Sequence, residues 1–517
     1  MKKLLSILAA VSFVVSTTST TVVSCAVKTS GINSLNYKWN LGQMTEVNQK
    51  EIIKKIAEVN GINSSNIENR QKDIENLASM RFDHTSITKL TSSEIDADSG
   101  DTYVATIRTS EYSRVLKGRT QVTFKATPEV IEKAKNPIAQ KESNLSGTWW
   151  NWGNTLDVNG KNITLEGKDA KLEKLVSNNN PYDIINISST FTKAGKYAID
   201  SIAMNDFTLT PELNDPSFDN QNSKFLIDRK NKKVNSDDVK FITSFGGATA
   251  DRMLWNWKQK DELKDKLKSI LDGFGLDGID LAVAGETLYN RESQETLCQA
   301  VKEIMVERWL SGKDFYLSIS ARLIWMFKDA LDRNKATVIP LIDSLEGWYD
   351  DITLLMYNIT RPKNFAIAQE DFEIDGQKFK KGDKIGTKYN PQIENASYFY
   401  GTLRAIIDPS WSKNSKFIDL SNKPIRISVA NEYSTTSSAF GFKSGDLSVE
   451  NKSNWEIALE QFKKDSPEAF KNIKGFNYFG VNIDQILSNE KPSEPKQFLY
   501  GSNLSRVINE NLKTNQE

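Results

Sequence analysis

Beyond residue 145 the chain alternates between short apolar runs and longer stretches with helical spacing. The runs are Gly147 to Trp152, Asp183 to Ser188, Val239 to Gly247, Gly278 to Val283, Phe315 to Ser320, Ile352 to Asn358, Ile425 to Ala430 and Gly475 to Val481. Short apolar runs rich in β-branched and aromatic residues read as buried strands. Between them, Lys258 to Leu271 and Glu295 to Leu310 repeat their apolar residues at helical spacing. Eight strand-helix units over about 360 residues predict an α/β fold, a (β/α)8 TIM barrel with insertions. The long interval 360–420 would hold one insertion. In such a barrel the chemistry collects at the C-terminal ends of the strands.

Residues 30–135 follow another pattern. Glu51 to Val59 places Ile52, Ile53, Ile56 and Val59 at helical spacing, while Thr102 to Ile107 and Gln121 to Ala126 alternate with period two. A helix followed by half-buried strands predicts a small α+β module ahead of the barrel. The helix, the strands and the segment Ser113-Arg114-Val115-Leu116-Lys117-Gly118 resemble the small modules of mollicute surface lipoproteins of the spiralin kind. A linker is expected from Lys133 to Ser146.

The first 25 residues read as an address. A basic start at Lys2-Lys3, a mostly apolar run from Leu4 to Val15 and a Ser/Thr-rich approach to Ser24-Cys25 fit a secretory signal. The apolar run is shorter than the ~20 residues of a spanning helix. Cys25 after a small residue resembles a bacterial lipobox, which implies cleavage and lipidation at Cys25. The expected location is the outer face of the cell membrane, held there by lipid. An ordinary signal peptide with an incidental cysteine is the alternative.

Composition narrows the function. Lys+Arg and Asp+Glu each number 67, so there is no basic excess of the kind that neutralises nucleic-acid phosphates. One histidine, His84, and two cysteines leave little for His-based triads, disulfide frameworks or zinc clusters. Cys298, on a helical stretch, reads as a core residue. No phosphate loop, EF-hand-like loop or paired metal-ligand motif occurs, so neither cofactor nor metal is expected.

Four motifs then fall in order on the expected strands. Ser244-Phe245-Gly246-Gly247 resembles the SxGG that ends the third strand of family 18 glycoside hydrolases, the chitinase family. Asp277-Gly278-Ile279-Asp280-Leu281-Ala282-Val283-Ala284 is similar to its fourth-strand DGxDxDxE. Met356-Tyr357-Asn358 resembles its sixth-strand tyrosine motif, and Gly475 to Asp484 its last strand. The resemblance spans about residues 145–505. It implies a substrate-assisted glycosidase in which the last Glu of DGxDxDxE protonates the glycosidic oxygen and the preceding Asp orients the N-acetyl group.

This chain departs from that pattern where the chemistry lies. Asp277 and Asp280 are kept, but Ala282 stands at the orienting position and Ala284 at the proton-donating one. A methyl group supplies no proton, and losing a general acid costs on the order of 10²–10⁴ in rate. Glu286 follows two residues on. Were the strand to continue it would lie ~6–7 Å further along the same face, although Gly285 favours a turn. Its two readings are a solvated loop carboxylate and a relocated acid that would act with Asp280 and Tyr357. Phe479 replaces the tryptophan that the resemblance places under the sugar, keeping an apolar face.

Aromatic faces with neighbouring polar groups suit N-acetylglucosamine polymers. The candidate carbohydrate-binding set is therefore Trp149, Trp150, Trp152, Asp277, Tyr357, Asn358 and Phe479. Trp255, Trp257 and Trp325 fall on or near helices and could pack against the barrel. The expected partners are chitin-type or N-glycan oligosaccharides and, through the lipid, a membrane; nucleic acid is not among them. Binding with little or no hydrolysis is the leading reading. The alternatives are a weak chitinase or endo-β-N-acetylglucosaminidase using Glu286, and a protein-binding adhesin on a barrel scaffold.

Overall fold

The eight apolar runs form eight strands that pair in parallel and in chain order until the last closes on the first. In the computed structural model these are β1 (Asn144–Trp150), β2 (Ile184–Thr192), β3 (Lys240–Gly246), β4 (Gly278–Ala282), β5 (Tyr316–Arg322), β6 (Asp351–Leu355), β7 (Ile425–Ala430) and β8 (Ile473–Phe479). Closure is set by the register of β8 on β1, Asn477 opposite Ser146 and Phe479 opposite Thr148, and of β1 on β2, Thr148 opposite Asn186. The strand after each of β2 to β7 is reached through α1 (Phe218–Lys230), α2 (Lys260–Phe274), α3 (Arg291–Leu310), α4 (Ile339–Ser344), α5 (Ala396–Ile407) and α6 (Asn454–Asp465). The (β/α)8 barrel is therefore the fold. The long interval after β6 holds two short antiparallel pairs, Asn364–Ile367 with Lys384–Gly386 and Phe372–Ile374 with Gln377–Phe379.

The structure describes residues 30–90, 100–150, 154–156, 162–164, 171–176, 180–194, 197–205, 207–211, 218–234, 236, 238–247, 253–330, 335–357, 364–386, 396–430, 453–490 and 499–513. The expected signal segment and Cys25 lie outside these residues. Among those described, no helix is long and apolar enough to cross a membrane.

Ahead of the barrel, strands Asn40–Gln43, Arg119–Ala126, Asp101–Thr109 and Met80–Lys89 lie side by side in that order, packed by helices Gln49–Val59, Gln71–Ala78 and Pro128–Lys135. The helix Gln49–Val59 starts where Asn48 accepts a hydrogen bond from the Glu51 amide, the usual way a short polar side chain satisfies a helix's first donors. It buries Ile52, Ile53, Ile56 and Ala57 against the sheet. The linker is shorter than the sequence implied, because Pro128 after the capping Thr127 carries a helix through Lys135.

The module sits on the barrel. Its helix Gln71–Ala78 packs on α3, where the Gln299 side chain donates to the Glu75 carbonyl at 3.0 Å and Lys264 to Gln71 at 2.8 Å. Lys260 lies between Glu303 at 2.6 Å and Glu75 at 3.2 Å. Arg114 meets Glu292 and Glu295, and Arg81 meets Glu346. Helix α3 is buried nearly all round, Gln294, Gln299, Lys302 and Glu303 included. An amphipathic surface helix keeps its polar face for water; here the module partners Gln299, while Gln294, Lys302 and Glu303 are partnered by Thr337, Ser344 and Lys260 of the barrel itself. Cys298 is a core residue, and burial pushes its thiol up to about 12.

Candidate functional site

Alternation along each strand decides what fills the barrel. Outward positions such as Ile185, Ile187, Phe241, Phe245, Ile279, Leu281, Ile352 and Leu354 are fully buried under the helices. Inward positions are polar. Asp280 accepts from Asn186 Nδ2 at 2.9 Å, Ser244 Oγ at 3.0 Å and Ser320 Oγ at 2.9 Å, one donor from each of β2, β3 and β5. Nearer the N-terminal end, Asp351 accepts from Ser318 at 2.8 Å, from Thr353 at 2.9 Å and from the Tyr316 hydroxyl, beside Arg426 at 3.4 Å. Asn477 on β8 accepts from Ser146 at 2.9 Å and donates to Ser428 at 2.7 Å. Buried polar groups persist when they are paired, and this ladder pairs them across the strands.

Asp280 is 2% exposed, and burial raises its carboxyl above the ordinary range against the pull of its three donors; the Asp351 charge adds to the rise. A group so enclosed holds three strands in register.

Above Asp280 the same column of β4 continues with Ala282 and Ala284. The turn of Ser244 to Gly247 folds over it. Gly246 has φ +117°, and a Cβ there would stand 2.4 Å from the Ala282 carbonyl oxygen, while the Gly247 amide donates to that oxygen at 2.8 Å. Gly246 is thus required by backbone contact, and Gly247 by its own φ of +96°. Gly285 has φ +57° and turns the chain out of the strand into the short turn Gly285–Tyr289. Glu286 therefore does not extend the column of Asp280. It stands half-exposed on that turn, whose Thr287 is tied to the Met253 carbonyl at 2.6 Å.

Two aromatic rings meet at the mouth. Tyr357, two residues beyond β6, and Phe479, at the end of β8, have ring centroids 5.3 Å apart at 33°. Burial pushes the Tyr357 phenol up to about 12, opposed by Ser428 and the Arg322 charge. Arg322 ends β5 with its guanidinium 5.3 Å from the Trp325 ring. It was not singled out in the sequence, where its last-in-strand position on the inward parity was the available signal. Asn186 and Ser320 were missed because each looks like an isolated polar residue in an apolar run, and Ser244 was read as part of a motif without its role as a donor to Asp280.

The remaining expected residues fall elsewhere. Trp149 is 0% exposed on the outward parity with Leu145 and Gly147, so it is core and offers no face to a sugar. Trp150 is the last residue of β1, opposite Ser188. Trp152 and Asn358 lie outside the described residues. Asp277 is a correction: it precedes β4 at the end opposite the mouth, where its Oδ2 accepts from Arg229 at 2.6 Å and from the Phe241 amide at 2.8 Å. It fastens β3 and α1 to β4 and touches nothing that a ligand at the mouth could reach. Trp255 is core against Phe245, its indole donating to the Ser293 carbonyl. Among the described residues no group of three His, Cys, Asp or Glu side chains is placed to hold a metal.

No protein-family model and no curated protein matches the chain. Solved structures do. A putative chitinase A from Streptomyces coelicolor is 12% identical over 72% of this chain and 99% of its own, with a TM-score of 0.43. A family GH18 chitinase from Chromobacterium violaceum is 16% identical over 72% of this chain and 86% of its own, also at 0.43. The xylanase and α-amylase inhibitor protein XAIP-II from Scadoxus multiflorus is 15% identical over 68% of this chain and 97% of its own, at 0.38. The structural neighbours are GH18 chitinases and inhibitor proteins. With TM-scores below 0.5 these likenesses assign no role to any residue here.

Proposed function

We propose that this protein is a lipid-anchored surface protein of a wall-less bacterium that binds N-acetylglucosamine-containing glycans at the mouth of its barrel with little or no hydrolysis. The observation that carries the reading is the column Asp280, Ala282, Ala284. The strand resembles the family's motif, but the two side chains beyond the buried Asp280 are methyl groups. The Tyr357 and Phe479 rings remain beside it, and aromatic faces with polar neighbours suit the apolar faces of N-acetylglucosamine. Anchoring at Cys25 rests on the lipobox-like sequence alone.

Turnover of a fluorogenic chitobioside and chitotrioside series tests the reading, with the full chain beside an Ala282→Asp, Ala284→Glu variant. Silence in the wild type with turnover in the variant is expected. Retention on immobilised chito-oligosaccharide should fall several-fold in Phe479→Ala, and equal retention of both proteins would remove the glycan reading. Wild-type turnover abolished by Glu286→Gln would instead establish the second reading, a weak hydrolase, which the half-exposed position of Glu286 on the turn after β4 keeps in play.

A further inference from the structure

A wide opening lies at the end of the barrel opposite the mouth. A cleft of about 1970 Å³ separates the lower face of the barrel from the N-terminal module, floored by the first residues of β1, β6, β7 and β8 and walled by the module and linker. Its lining carries thirteen Lys and Arg against nine Asp and Glu, in a chain whose charges otherwise balance. Most of these cations are already held: Arg229 by Asp277, Lys50 by Asp314, Arg81 and Lys423 by Glu346, Arg426 by Asp351.

Lys474 is not. It sits on β8 at the floor of the cleft, 8% exposed, and has no hydrogen-bonding or ionic partner among the described residues. The nearby cation is Lys141, whose ammonium donates to the Tyr349 carbonyl at 3.1 Å and to Asp350 at 3.2 Å. Asn144, also on the floor, gives its Oδ1 to Arg426 and keeps its amide donors unused among the described residues. A buried charge without a counter-charge is costly, and evolution of a stable floor would more simply place an apolar residue there.

We propose that this cleft binds a small phosphate-bearing molecule, with Lys474 as the charge partner of the phosphate and Lys141 and Asn144 as its further donors. Ammonium point charges and amide donors suit a tetrahedral anion, whereas planar carboxylates are matched by the fork of an arginine, and the arginines here are committed. Burial and the Lys141 charge lower the Lys474 pKa. Phosphate would reverse that by supplying the missing counter-charge.

The test is calorimetric titration of the full chain with inorganic phosphate, pyrophosphate and citrate at constant ionic strength, repeated on Lys474→Met. Saturable binding of phosphate or pyrophosphate that weakens at least tenfold in Lys474→Met is expected. No binding, equal binding by both proteins, or binding of citrate alone would overturn the assignment. Vesicles containing phosphatidylglycerol form a separate arm: retention lost in Lys474→Met, with free phosphate competing, would place the phosphate on a lipid headgroup. Should Lys474→Met fail to fold, acylation of the wild type near neutral pH followed by mass spectrometry decides. Lys474 is expected to react early and to be protected by pyrophosphate, and unprotected labelling would overturn the proposal. The site lies at the far end of the barrel from the mouth, so its result and that of the glycan experiments are independent.

Discussion

Asp280 has a structural role in the barrel that is independent of any chemistry at the mouth. Three donors from three strands converge on one buried carboxylate, so the residue is retained by the barrel whether or not anything is cleaved above it. Asp280→Ala would leave Asn186, Ser244 and Ser320 without their acceptor. At about 1–3 kcal/mol per stranded buried group, the expected loss is at least about 3 kcal/mol, read from urea unfolding. Asp280→Asn keeps the shape and one acceptor oxygen, and should cost less than half as much. A destabilisation below about 1 kcal/mol in Asp280→Ala would mean that the register is held elsewhere. At this scale the sequence was informative about residue type and poor about direction. Trp149 and Trp150 are indistinguishable in the string, yet one faces the helices because odd positions of β1 point outward. Asp277 and Asp280 share a motif but lie at different depths of one strand, and only depth separates a fastening at the bottom from a position near the mouth.

At the scale of elements, all eight strands and the insertion were legible, because outward positions supply the apolar signal and glycine-rich turns punctuate it. What the apolar runs concealed was their polar inner half. A strand such as Val239-Lys240-Phe241-Ile242-Thr243-Ser244 reads as apolar on both faces, yet its inner face passes from exposed Lys240 through buried Ile242 to Ser244, which hydrogen-bonds Asp280. The joint of β3 with β4 gives this a sharp test. Gly246→Ala brings a Cβ to 2.4 Å from a backbone oxygen at a φ that L-residues rarely adopt, and neither neighbour can move without breaking the β3–β4 register. A loss of more than about 2 kcal/mol is expected, with the circular-dichroism spectrum of the folded form unchanged at low temperature. Helix α3 was legible as a helix, but no property of its own sequence says that another module covers part of it.

That cover makes module and barrel one unit, with a consequence for how the whole molecule responds to pH. Near the joint, burial first, and the Glu346 and Glu111 charges after it, raise the Asp343 carboxyl to about 6. Glu346 is itself pinned between Arg81 of the module and Lys423 of the barrel, so its charge is fixed in place beside Asp343. Between pH 4 and 6 the folded protein holds a proton on Asp343 that the unfolded chain has released. The stabilisation from this group is therefore complete below about pH 4 and is lost as pH rises through 6. Asp343→Asn removes the dependence: the variant should gain on the wild type steadily across that window and be more stable at pH 7 by about 1 kcal/mol, after allowance for the partial exposure of the site. Urea midpoints of both proteins from pH 4 to 7 measure the difference directly. A difference that stays flat across the window would show that Asp343 does not carry the proton. One that grows further in an Arg81→Met background, where a module cation that lowers the Asp343 carboxyl is gone, would tie it to the seam between module and barrel, where the charges of both parts meet.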